Sequence, residues 1–226
     1  MRRLDQLLSS IGYASRREVQ TLVKDGRIHI NGVLATRSDV RVDPATVTFD
    51  GEPLEAPDGL IAILHKPLDY VCSRSEDEGA TIYDLLPPHW SDRNPPVTSV
   101  GRLDKDTTGV LIITDIGPLV QRYTSPRAVV EKVYEVTVDK DLDPALIPVF
   151  ASGTIMLRSE TKPCLPATLN ITGLRTASLT ITEGRYHQVR RMFASQGYHV
   201  EALHRSRFAD YTLDDLEPGE WRLVVA

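Results

Sequence analysis

The chain has 226 residues, 41% hydrophobic and 25% charged, an ordinary globular composition that excludes collagenous, repeat-like and disordered classes and fits a small domain plus a large one. Its net charge of -5, from 26 Lys+Arg against 31 Asp+Glu, means that any nucleic-acid surface must be local. No run approaches the roughly 20 apolar residues of a bilayer crossing, Met1-Arg2-Arg3-Leu4-Asp5 lacks the apolar core of a signal peptide, and two cysteines, Cys72 and Cys164, cannot build a disulfide framework, so a cytoplasmic protein with free structural thiols is expected.

Residues 1–41 are locally basic: Arg2, Arg3, Arg16, Arg17, Lys24, Arg27, Arg37 and Arg41 stand against Asp5, Glu18, Asp25 and Asp39, about +4 net. Leu4, Leu7, Leu8 and Ile11 fall at i, i+3, i+4 and i+7, which predicts a helix with one apolar face, ended by Gly12. Ser15 with Glu18 is a capping box that predicts a second helix, with Val19, Leu22 and Val23 buried and Gly26 as a left-handed stop. Arg17 and Lys24 then share its outward face. Ile28 and Ile30 alternate before Asn31-Gly32, and Val47 and Phe49 before Asp50-Gly51; both dipeptides signal hairpin turns. The acidic stretch that follows runs into Pro57-Asp58-Gly59, which reads as a linker between a module of residues 1–57 and a domain of residues 60–226.

From charge alone, the arginines of the module could equally be solvated helix surface. Arg3-Leu4-Asp5-Gln6-Leu7-Leu8, Ser15-Arg16-Arg17-Glu18 and Asp25-Gly26-Arg27-Ile28-His29-Ile30-Asn31-Gly32, however, resemble the alpha-L RNA-binding module of the small-subunit ribosomal-protein type. That resemblance places Arg16, Arg17, Lys24 and Arg27 against RNA phosphates, where each contact adds salt-sensitive affinity.

Past the linker, short apolar runs at 61–64, 110–113, 133–138, 177–181 and 221–225 predict strands, and helical patterns lie near 119–123, 145–152 and 187–196. An α+β domain with a mostly antiparallel sheet is expected. No GxGxxG or GxxxxGK[ST] is present to suggest a dinucleotide or a nucleoside triphosphate. The segment that asks for chemistry is Ser99 to Thr114, in which a polar loop carrying Asp104 and Asp106 runs into a buried strand. An aspartate among Gly and Thr often only makes a local turn. Asp104-Lys105-Asp106-Thr107-Thr108 also fits the D-x-D-x-T pattern of haloacid-dehalogenase-like phosphohydrolases, in which both carboxylates hold magnesium, although Gly101-Arg102 interrupts the apolar strand which that chemistry wants.

Gly101-Arg102-Leu103-Asp104-Lys105-Asp106-Thr107-Thr108-Gly109 more closely resembles the active-site motif of pseudouridine synthases. Lys66 to Ser73, Ser125-Pro126-Arg127, Glu131 to Thr137, Thr161-Lys162-Pro163 and Glu183 to Ala194 follow in the order of the RsuA branch, which carries the same N-terminal module. Two departures stand out: His65 where Asn is expected, and Asp69 where Gly is expected. The resemblance implies an isomerase acting on uridine 516 of 16S rRNA, free or in an assembling small subunit, by a monomer with no cofactor, no metal and no membrane partner. It gives Asp104 the chemistry at C1′ or C2′, an arginine beside Asp104 to hold and orient it, and Tyr134 the stack on the flipped uracil, although alternation alone reads Tyr134 as core.

For that arginine, a second cluster, Arg185, Arg190, Arg191, Arg205 and Arg207 against Glu201, offers candidates. The family motif selects Arg190 as the partner of Asp104, with Arg185 next. His187, Arg190 and Arg191 fall on one helical face, and His187 is read as a structural donor rather than a catalyst. Arg102 and Arg185 are further candidates for RNA contact, and Lys66 is either near the site or surface. A non-catalytic RNA-binding assembly factor is the remaining alternative.

Overall fold

In the computed structural model, which describes residues 1–125 and 128–224, the buried apolar residues gather into one cluster from Leu4 to Leu54 and two more that begin with Leu60 and Ile63. Pro126, Arg127 and Val225, each part of a segment singled out above, lie outside the described residues.

The first cluster is built by β1 (Arg2–Arg3), α1 (Leu4–Ser10), α2 (Arg16–Lys24), β2 (Ile28–Ile30), β3 (Val33–Leu34), β4 (Arg41–Val42), β5 (Val47–Phe49) and β6 (Glu52–Pro53). Leu4, Leu7 and Leu8 are fully buried on the expected face of α1, each contributing about 1.5 to 3 kcal/mol of apolar burial. The α2 capping box is made: the Glu18 amide donates to Ser15 Oγ at 3.3 Å and the Ser15 amide to Glu18 Oε2 at 2.8 Å. Asn31-Gly32 and Asp50-Gly51 both turn with positive φ, closing the β2/β3 and β5/β6 hairpins with two-residue loops as their sequence requires.

The larger part comprises β7 (Ile61–Lys66), β8 (Thr98–Ser99), β9 (Thr107–Thr114), α3 (Gly117–Thr124), β10 (Lys132–Val138), α4 (Leu146–Ala151), β11 (Thr168–Ile171), β12 (Thr176–Ile181), α5 (Gln188–Ser195), β13 (Val200–Phe208), β14 (Tyr211–Thr212) and β15 (Trp221–Leu223). One sheet runs β11-β12-β10-β13-β9-β7-β15, with β8 on β9 and β14 on β13. It is antiparallel except for β9 with β13, so the expected α+β, mostly antiparallel class holds. Alternation along β7 and β9 sends Ala62, Leu64, Leu111 and Ile113 into one core and Ile63, Val110 and Ile112 into the other. At Gly109 the parallel strands cross so closely that a Cβ would lie 2.2 Å from the Arg205 carbonyl oxygen, and φ is +118°, so only glycine fits.

Residues 55–59 are held at several points. Arg93, 3% exposed, pairs with Asp115 at 2.7 Å and donates to the Ala56 carbonyl at 2.7 Å. Glu55 accepts from the Trp90 indole and contacts His89, while Arg2 reaches the Pro57 carbonyl and Asp58. The segment that composition marks as a linker is therefore clamped to both sides.

Candidate active site

Asp104 sits in the loop before β9, and the loop is fixed from below. Lys66, wholly buried at the end of β7, donates from Nζ to the carbonyls of Thr107 at 2.8 Å and Pro67 at 2.9 Å. Its burial lowers the pKa of the ammonium, and among the described residues its hydrogen bonds go to backbone oxygens and to no carboxylate, so its role here is to gather those oxygens. Cys72 accepts a hydrogen bond from the Leu103 amide at 3.4 Å, and the Asp69 amide donates to the Lys105 carbonyl at 3.0 Å. Asp69 has φ +67°, the left-handed region, which explains why glycine is the residue expected at that place. The other departure, His65, binds the Leu216 carbonyl through Nδ1 at 2.7 Å and meets His204 edge to face.

The loop opens into a cavity of about 580 Å³ lined by Arg102, Asp104, Lys132, Tyr134, His187 and Arg205 among others. Tyr134 is 8% exposed, packs in the core as its alternation suggests, and also lines the cavity. Arg102 is exposed, Arg185 also lines the cavity, and Asp104 is about one-third exposed at its side chain.

The arginine expected beside Asp104 is elsewhere. Arg190 pairs with Asp106 Oδ2 at 2.9 Å and donates to the Asp106 and Val200 carbonyls. Arg185 is consumed by Glu183 at 3.1 Å and by the Lys162 and Pro163 carbonyls at 2.7 and 2.6 Å. Arg191 is taken by Glu160 and by the Tyr186 and Arg158 carbonyls, so His187, Arg190 and Arg191, which share a helical spacing, end on different partners. The group against Asp104 is His187, with Nε2 3.3 Å from Oδ1. His187 reaches it because it is not in the helix but caps α5 in the left-handed region, φ +46°.

Of two further cationic residues of the cavity, Lys132 escaped the sequence reading as a site residue and Arg205 entered it only as one of the arginines of the second cluster. Lys132 precedes Tyr134 by two on β10, the spacing that puts both on one face, and that signal was available. Burial and then the nearby Arg205 charge push its ammonium down to about 8. Arg205, 2% exposed, gives both Nε and Nη2 to the Val110 carbonyl, at 2.9 and 2.7 Å. A buried arginine in place of an apolar residue hides the strand that carries it.

The two aspartates do not converge on a common point. Asp106 is 66% exposed and turned to Arg190, and both precede β9, whereas the phosphohydrolase pattern wants the first aspartate at the end of a strand. Among the described residues no group of three or more His, Cys, Asp or Glu is placed to hold a metal ion. Of the module residues expected on RNA, Arg16, Arg17 and Lys24 are exposed and make no side-chain hydrogen bond or salt bridge among the described residues, Arg16 acting on the Asp5 carboxylate only through its charge, whereas Arg27 pairs with Asp50 and lies over the Phe49 ring.

Comparison with known proteins agrees with this geometry. The RNA pseudouridylate synthase family profile matches residues 61–195 and the S4 domain profile residues 2–47. The chain is 39% identical to ribosomal small subunit pseudouridine synthase A of Vibrio parahaemolyticus, covering 99% of this chain and 96% of that one. It is 37% identical to the protein of the same description from Escherichia coli K12, covering 97% and 95%. A crystal structure of a pseudouridylate synthase superposes with a TM-score of 0.69 at 33% identity, covering 100% of this chain and 96% of that one. With a family profile over more than half its length and such relatives along nearly all of it, the chain belongs to the RNA pseudouridylate synthases, with an S4 domain at its N-terminus.

Proposed function

We propose that this chain converts uridine 516 of 16S rRNA to pseudouridine, with Asp104 as the reacting carboxylate and no cofactor. The observation that carries the assignment is the Asp104 side chain at a cavity that also presents Tyr134, with His187 Nε2 3.3 Å away. In the reaction the N1–C1′ bond breaks, the uracil turns, a C5–C1′ bond forms, the C5 proton leaves to solvent and N1 takes up a proton in exchange. The sum is an isomerisation, which needs neither an oxidant nor a phosphate acceptor. A carboxylate at C1′ or C2′ supplies the nucleophile or base, and an enclosed site keeps water from the detached base. Tyr134 stacks on the flipped uracil, His187 orients the carboxylate by donating to it, and Arg102, Lys132 and Arg205 give the cavity the positive charge that an RNA strand requires.

Residues 1–57 act as the RNA-binding module and residues 60–226 as the catalytic domain. The substrate is 16S rRNA or an assembling small subunit, met by a monomer in the cytoplasm. Small-subunit specificity is supported by the descriptions of the relatives in Vibrio parahaemolyticus, Yersinia pestis and Escherichia coli.

The test is single-turnover tritium release from C5-labelled 16S rRNA beside filter binding of the same RNA. Asp104→Asn should abolish release and keep affinity within about threefold, since affinity comes chiefly from phosphate contacts. Asp106→Asn, which frees Arg190 rather than the reacting carboxylate, should lower the rate by about tenfold or less. Turnover by Asp104→Asn at the wild-type rate would exclude this mechanism.

A further inference from the structure

Tyr186 is 70% exposed, and its ring lies flat on the imidazole of His187, with centroids 3.8 Å apart and planes 18° from parallel. His187 in turn contacts Asp104, so the tyrosine is the outer layer of a stack founded on the proposed reacting carboxylate. Both residues border the cavity. A surface tyrosine kept only for packing would lay its ring on apolar side chains and turn its hydroxyl to water. Here one face rests on a histidine, and the hydroxyl makes no hydrogen bond among the described residues.

The turn that presents this ring is braced. The Arg185 guanidinium binds Glu183 and the Lys162 and Pro163 carbonyls, and the Arg185 amide donates to Gln188 Oε1 at 2.9 Å. Gln188, 4% exposed, donates back to Glu183 Oε1 at 2.8 Å, and Arg191 holds the Tyr186 carbonyl at 3.0 Å. The backbone that presents the ring is therefore in place before RNA binds, so little of the turn's freedom is left to lose on binding.

We infer that Tyr186 is a stacking subsite for an unpaired RNA base next to the target uridine. Flipping the target leaves its neighbours without a stacking partner, and an aromatic face at the cavity mouth replaces what they lose. The chemical class is any nucleobase, since every base has a π face and the site offers a ring rather than a pattern of donors. The inference rests on the isomerase reading, in which the uracil itself occupies the cavity beside Tyr134.

The test is a double-mutant cycle with a 16S rRNA fragment spanning uridine 516, intact or carrying one abasic nucleotide at each of the positions flanking the target. Tyr186→Ala should weaken binding on the order of 5- to 100-fold, the range of one base–aromatic stack, and leave the saturated single-turnover rate within about threefold. Tyr186→Phe, which keeps the ring, should bind as the wild type does. One abasic fragment should show the same loss with the wild type and no further loss with Tyr186→Ala. Unchanged binding by the alanine variant, additive losses at every flanking position, or a fallen rate at unchanged affinity would each overturn the subsite, the last by making Tyr186 a support for His187 alone. Failure of the wild type to form pseudouridine on the intact fragment would instead strike the isomerase reading, and the binding cycle separates the two.

Discussion

Asp104 and Asp106 stand two residues apart in one loop, yet the protein assigns them different partners, a histidine for the first and an arginine for the second. Electrostatics in the cavity itself rest on Lys132, whose Nζ donates to the Val130 carbonyl at 2.9 Å, and on Arg205. Burial holds the Lys132 ammonium down to about 8, below the unfolded value of about 10.4. Between those values the unfolded chain binds more protons than the folded one, so this group makes stability rise with pH across that window; below it, Lys132 is charged in both states and the cost of its burial is constant. In urea titrations from pH 7.5 to 10.5, the wild-type unfolding free energy minus that of Lys132→Met should therefore increase, and RNA affinity should weaken as the cavity loses a charge. A difference that stays flat would place the amino group in water. The sequence made Asp104 and Tyr134 legible because each sits in a motif of fixed order. For the basic partner the family motif points to Arg190, which meets Asp106 in place of Asp104, and helical spacing puts His187 on a face with Arg190, whereas α5 starts only at Gln188 and His187 is its cap.

At the level of elements, local signals read most clearly where short-range chemistry decides the structure: the α1 apolar face, the Ser15/Glu18 box and the Asn31-Gly32 and Asp50-Gly51 turns all form as their residues require. The strand β13 was not legible. Its sequence Val200 to Phe208 holds a histidine and two arginines, and Arg205 takes a buried position that a strand pattern reserves for an apolar residue. Only the neighbouring carbonyl of Val110, contributed by another strand, makes that burial tolerable. The N-terminal module carries the opposite arrangement, with charges resolved locally. Hydrogen bonds from Arg3, Arg37 and Arg27 hold Asp5, Asp39 and Asp50 below the usual carboxylate range, and Ser15 does the same for Glu18. Because each folded value is depressed, the stability these groups give is present above their unfolded values near 4 and is lost as pH falls through the folded values. Of the four, Asp5 is the buried one, so it dominates, the exposed pairs counting for little. The protection of the Val19 and Val23 amides against exchange should fall on acidification below about pH 4 before the tryptophans of the larger domain, Trp90 and Trp221, change their fluorescence, and Asp5→Asn should show much of that loss already at pH 7. Simultaneous loss of both signals would mean that the module has no acid sensitivity of its own.

Across the whole molecule, the S4 module is docked and not tethered. Gly12, at φ +83°, lies so close to the larger domain that a Cβ there would sit 2.0 Å from the His89 carbonyl oxygen; the Asn94 amide donates to the Ser10 carbonyl at 2.9 Å, and the Tyr13 ring meets that of His89. Such a joint fixes the exposed cations Arg16, Arg17 and Lys24 relative to Asp104, so RNA that reaches both does so without ordering a hinge first. Two kinds of variant should separate charge from docking. Replacing Arg16, Arg17 and Lys24 by glutamine removes up to three phosphate contacts and should flatten the log-log salt dependence of rRNA binding by about 2 to 3, at about 0.7 to 0.9 per contact. Gly12→Ala leaves every cation in place and drives a wedge into the joint. It should weaken binding at all salt concentrations by a common factor, because the second contact then forms at a lower effective concentration while the number of neutralised phosphates is unchanged. Filter-binding isotherms from 50 to 200 mM salt would show the two variants as a change of slope and a parallel displacement respectively. An unchanged slope for the glutamine variant would make those three residues solvated surface, and a changed slope for Gly12→Ala would mean that the docked orientation itself determines which phosphates are reached.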